Sequence, residues 1–229
     1  MDGAARDRAL IAALDAWLDG LPPFADEAEE AAALRAFLQR VRPGARQALA
    51  LRLWREASGW RTRRTVAVWP ADARTLEQAR LRFGEAAVVQ PADTPEAALA
   101  AAARPGAAVL ALGVGRPWWG RLLARPRLKV VAATPERARS QPSALIVAEG
   151  GVGPSGQDET FWVTDAGGRV APLEDALARL GAAASLVDEA AGLRLFSLAG
   201  YFQSDDERLA QAPGELTGVI GWAAAPSDL

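Results

Sequence analysis

This 229-residue chain has no histidine, no cysteine, a single lysine (Lys129), a single methionine and a single tyrosine. Without histidine or cysteine, the usual nucleophile–base pairs and the usual His/Cys metal shells are excluded. Zero cysteines also exclude a disulfide scaffold. Positive charge is carried almost wholly by arginine, whose planar fork suits carboxylates but does not move protons near neutral pH. Such a chain can clamp anions and shape an apolar pocket. Any catalysis is expected to rest on confinement and electrostatic stabilisation. The net charge of −2 argues against nucleic acid as a partner, since no cationic excess is present to displace counterions.

Half of the residues are hydrophobic and about a quarter charged, the balance of a soluble globular protein. The N-terminal stretch carries Asp2, Arg6, Asp7 and Arg8 and does not read as a signal peptide. The most apolar window, 106–115, is too short to cross a bilayer. No membrane partner and a cytoplasmic location are expected.

Three textures follow one another. Residues 1–63 read as helical. Leu10, Leu14, Trp17, Leu18 and Leu21 form a stripe ending at Pro22 and Pro23. A second helix is expected from about Asp26, as N-cap, to Val41, broken by Arg42, Pro43 and Gly44. A third begins near Ala45. The apolar faces of these helices predict a homodimer, since three short helices bury little internally.

Residues 64–140 alternate strand and helix: a strand over 65–69, a helix from Asp72 to Phe83, a strand over 87–90, a helix opened by Asp93-Thr-Pro-Glu96 with Pro95 in the first turn, and strands over 109–112 and 128–133. This alternation predicts a largely parallel sheet. Residues 141–229 begin with an apolar run and a glycine loop. Strands over 160–164, 184–189, 193–202 and 216–223 follow, with helices over 172–180 and 205–211. The order βαββαβ predicts a four-stranded antiparallel, ferredoxin-like unit. The fold class expected is therefore α+β, in three modules.

That order of modules resembles the bifunctional chorismate mutase–prephenate dehydratase architecture with its ACT domain, and most closely a shortened, alphaproteobacterial-type branch of it. Arg8, Ile11, Leu14 and Asp15 match the first-helix motif R-x-x-I-x-x-L-D of all-helical chorismate mutases. Arg52, Leu53, Trp54, Arg55 and Glu56 match the R-[IL]-[FW]-[RQ]-E of that family's last helix. The run 193–226 resembles the second half of an ACT domain. The resemblance implies a divergent chorismate mutase of aromatic amino-acid biosynthesis, an isomerase without cofactor or metal, acting on a small aromatic-pathway metabolite. Arg8 and Glu30 are implied as its catalytic residues, and Arg35, Arg52 and Arg55 as substrate-binding ones.

The pattern is incomplete. The arginine that the family places before its second-helix glutamate is Glu29 here, and the last-helix glutamine that meets the ether oxygen is replaced near Arg63 to Thr65. Loss of ether-oxygen donors predicts a weakened site. Room for one α/β lobe and the lack of a Thr-Arg-Phe tripeptide argue against dehydratase activity. The phenylalanine-binding motifs of ACT domains are not kept at Ala171 to Leu173 or Asp188 to Ala191. The alternative is a non-catalytic metabolite-binding or regulatory protein, with Arg8 and Glu30 as solvated charges.

Other signals are weaker. Gly151, Gly153 and Gly156 fit G-x-G-x-x-G, but Pro154 and the strand that follows favour a plain loop over a dinucleotide site. Trp118 and Trp119 either line a pocket or, more in keeping with such pairs, anchor a loop on the core. Arg61 to Arg64 either bind an anion where the helices meet the α/β lobe or form a solvated hinge. Asp205 to Glu207 are read as helix-capping charges.

Overall fold

The computed structural model describes residues 3–20, 24, 27–41, 45–103, 106–135, 141–150 and 153–224; the side chains of residues 3–8, 10, 45 and 46 lie outside the description. Three helices open the chain: α1 (Gly3–Asp19), α2 (Glu27–Leu38) and α3 (Ala45–Thr62). The expected breaks at 21–23 and 42–44, and the Asp26 cap, fall outside the described residues. Leu14, Leu18, Leu34, Phe37, Leu38 and Trp54 form a buried cluster of their own. Most of the apolar face on which a dimer was expected is thus covered within one chain.

The elements that follow are β1 (Thr65–Trp69), α4 (Ala73–Phe83), β2 (Val88–Pro91), α5 (Pro95–Ala101), β3 (Ala107–Ala111), β4 (Leu128–Thr134), β5 (Ala144–Glu149), β6 (Asp158–Thr164), α6 (Val170–Arg179), β7 (Ala184–Ala190), β8 (Leu193–Ala199) and β9 (Thr217–Ala224). Local chemistry sets two helix starts. The Asp72 carboxylate accepts from Thr75 N at 2.7 Å, and Thr94 Oγ1 accepts from Ala97 N at 3.1 Å with Pro95 in the first turn.

The nine strands among the described residues lie in one mixed sheet of order β2-β1-β3-β5-β4-β9-β6-β8-β7. The parallel arrangement expected for the middle segment holds for β1 with β2 and β3. β3 and β4 run the same way too, but they are not neighbours: β5, from the following segment, lies between them and pairs antiparallel with both. A short connection returns the chain from β4 beside itself, where a parallel neighbour would need a crossover.

The strand periodicity sorts the side chains onto the two faces. Val66 and Val68 enter one core layer with Val109, Ile146, Trp162 and Phe196. Ala67 and Trp69 enter the opposite layer with Leu110, Leu145, Phe161 and Leu195.

The last four strands pair antiparallel among themselves in the order β9-β6-β8-β7. They are not a free-standing sheet, since β9 continues onto β4 in parallel, with Val130 opposite Gly221. Gly221 has φ +149°, and a Cβ there would meet Val130 N and O at 2.3 Å. Only glycine allows that close approach.

A second difference concerns 205–211. In place of the expected helix there is a 3-10 turn over Leu209–Gln211. Asp206 accepts from both the backbone and the guanidinium of Arg208. This local side-chain capture competes with helical hydrogen bonding.

Candidate functional site

Glu27 and Glu30 stand three residues apart in the first turn of α2, so both face the same side of the helix. That side meets α3 and α4. From α3, one face supplies Trp54, Arg55 and Ser58 to a single carboxylate oxygen. Glu30 Oε1 accepts from Arg55 Nη1 at 2.9 Å, Ser58 Oγ at 2.7 Å and Trp54 Nε1 at 3.2 Å. Glu30 Oε2 lies 3.5 Å from Arg82 Nη2 of α4. Glu27 is shared differently: Oε1 accepts from Arg64 and Oε2 from Arg82.

Glu27, Glu30, Arg55 and Arg82 are all buried. Burial by itself would raise the Glu30 pKa. The adjacent Arg55 and Arg82 guanidiniums, with the Ser58 and Trp54 hydrogen bonds, outweigh it and hold the carboxyl well below the usual carboxylate range. It is an ionised group, unsuited to donating a proton near neutral pH.

The cluster exists because α3 and α4 approach unusually closely. A Cβ on Gly59 would lie 2.2 Å from Phe83 O, so glycine on α3 lets the end of α4, with Arg82 and Phe83, reach the helical segment. A cavity of about 150 Å³ remains there, bordered by Phe24, Phe83 and Gly59 together with Glu27, Glu30, Ser58, Thr62 and three arginines, Arg61, Arg64 and Arg82. Its lining mixes ring faces, two carboxylates and guanidinium forks. Its volume is about that of a benzene-sized void. Drug-sized ligands need two or more times that volume.

The residues singled out from sequence separate. Glu30 and Arg55 meet in the cluster. Arg35, further along α2, donates from Nη1 to Ser155 Oγ at 3.2 Å and also reaches Ser155 O. Arg52 is exposed, beside Glu56 and Arg80 in a groove of about 490 Å³ between α3 and α4. Arg8 belongs to α1, with its side chain outside the described residues.

Arg61 to Arg64 do sit where helices meet lobe: Arg61 Nη1 donates to Leu18 O at 2.7 Å and Arg64 pairs with Glu27. Sequence reading missed Glu27, Ser58 and Arg82. Only the tandem of Arg82 with Phe83 at the end of α4, before Gly84, hinted at a charge turned inward.

The weaker signals resolve simply. Ser155 N and Gly156 N donate to Asp158, which leads the described part of the glycine loop, 153–157, directly into β6. Trp118 and Trp119 are fully buried, donating to Ala111 O at 2.8 Å and to Asp188 Oδ2 at 3.1 Å, so they anchor a loop. Lys129 Nζ donates to Val219 O at 3.4 Å, and burial lowers its pKa. Among the described residues no group of three or more Asp or Glu side chains is placed to hold a metal, and no helix is long and apolar enough to cross a membrane.

No protein-family model and no curated protein matches the chain. Two solved structures are similar to it. GqqA, described as a novel type of quorum-quenching acylase, shares 18% identity over 71% of this chain and 95% of its own, with a TM-score of 0.45. A prephenate dehydratase from Streptococcus mutans shares 12% identity over 70% of this chain and 97% of its own, with a TM-score of 0.43. Likenesses this distant decide nothing about activity.

Proposed function

We propose that this chain is a metabolite-binding protein of aromatic amino-acid metabolism that turns chorismate over slowly or not at all. In this reading residues 1–63 are a chorismate-mutase-like segment, 64–140 resemble half of a prephenate dehydratase domain, and 141–229 are ACT-like. The antiparallel order β9-β6-β8-β7 supports the last assignment.

One observation carries the reading: three arginines of this cluster are already engaged by the chain's own carboxylates. Arg55 is on Glu30, while Arg64 and Arg82 are on Glu27. Chorismate rearrangement is accelerated by clamping both substrate carboxylates and by donors on the ether oxygen. A cavity of about 150 Å³ suits a single ring better than chorismate with its enolpyruvyl arm. A second reading, residual mutase activity, is favoured by Glu30 Oε2: among the described residues its contact is Arg82 at 3.5 Å, which leaves acceptor capacity for a substrate hydroxyl.

The test is chorismate disappearance with the full chain, beside calorimetric titration of chorismate, prephenate, phenylalanine and tyrosine. Binding of at least one without turnover is expected. Turnover that falls, with a raised Michaelis constant, in Arg8→Ala would select the mutase. Neither binding nor turnover would leave a structural role. Light scattering checks the homodimer expected from the apolar helix faces.

A further inference from the structure

We infer that Glu27 is a built-in occupant of a carboxylate subsite in the cavity between α2, α3 and α4, and that a single-ring carboxylate binds by taking its place between Arg64 and Arg82. The inference rests on the binding reading above and names the ligand class.

Four observations support it. First, the two oxygens of Glu27 go to two different guanidiniums, Arg64 and Arg82, as a bound carboxylate bridges an arginine pair. Second, the cavity that Glu27 borders measures about 150 Å³ and has Phe24 and Phe83 in its wall. A void of about that size accepts a benzene-sized ring. Third, the lining carries Arg61, Arg64 and Arg82 against Glu27 and Glu30, one positive charge in excess, which favours an anion over a cation.

Fourth, the two glutamates are held unequally. Glu30 is gripped by Trp54, Arg55 and Ser58 of α3. Glu27 is held by Arg64 and Arg82, the two arginines that an incoming carboxylate would itself satisfy. Exchange of one carboxylate for another keeps both guanidiniums paired, and the cost that remains is to bring the displaced Glu27 carboxylate to water. The Arg64 side chain is 30% exposed, which gives the exchange an opening to solvent. Glu27 therefore competes with ligand and sets its affinity.

The probe is benzoate, titrated by calorimetry into the full chain with thermal unfolding as a check on folding. Glu27→Gln should bind benzoate at least about tenfold more tightly than the native chain, and Glu27→Gln/Arg64→Gln should lose that gain. A folded Glu27→Gln chain that binds no more tightly overturns the proposal. Should Glu27→Gln fail to fold, Arg64→Gln alone decides. It leaves the Arg82–Glu27 pair in place and should weaken benzoate binding about fivefold or more, and unchanged binding overturns the proposal. The two readings fail separately. Tighter benzoate binding without affinity for the pathway metabolites removes the metabolic reading and keeps the subsite. Metabolite binding that weakens in Glu27→Gln does the reverse.

Discussion

Arg55 donates to Glu30 at 2.9 Å, and neither side chain exposes a tenth of its surface, at 6% and 9%. Two charges taken this far from water stabilise the fold little as a pair, yet removing one strands the other. Arg55→Met is therefore expected to cost about 3–5 kcal/mol in denaturant unfolding. The double variant Arg55→Met/Glu30→Met should recover much of that loss. A double variant as unstable as the sum of the singles would show that the pair is not coupled.

The same carboxylate sets an acid limit. Folding lowers the Glu30 pKa from its ordinary 4.5, so the folded state binds its proton less well than the unfolded chain. The stabilisation is fully present above about pH 4.5 and is lost progressively as pH falls below it. Unfolding followed between pH 3 and 7 should show this decline, and Glu30→Gln should show a shallower one. With no histidine in the chain, stability should change little between about pH 6 and 8.

Gly59→Ala should separate α3 from α4. Its Cβ would stand 2.2 Å from Phe83 O, a backbone atom that cannot swing aside. A loss of about 1–3 kcal/mol is expected, typical of overpacking, together with weaker ligand binding in the cavity. Thermal unfolding and titration of the same sample check both. Unchanged values would mean that the helices tolerate a wider spacing.

Gly221→Ala tests whether the sheet is continuous. Both the positive φ and the contact with Val130 N and O oppose a side chain at this position. The variant should be destabilised by about 1–3 kcal/mol or more, with hydrogen exchange rising first in β4 and β9. Protection that stays uniform along both strands would sink the idea that this junction binds the halves together.

Much of the local structure was legible in the chain. Asp72, Thr94 and Pro95 start helices through contacts with residues three positions on, and Val66 to Trp69 alternate between two core layers as a buried strand must. Of the site, Glu30 and Arg55 were named from short motifs. Their partners were not, because Glu30 meets Ser58 across 28 residues and Arg82 across 52. A sequence rich in Glu and Arg has no local signal for which acid meets which base. The union of the described strands in one sheet was equally hidden. It depends on a glycine in β9 that lets the backbone of β4 come close, and spacing along a single strand cannot report the distance to another. Local hydrogen bonding and periodicity are written into neighbouring residues. The pairing of charges and strand edges is decided only when distant segments compete for the same buried space.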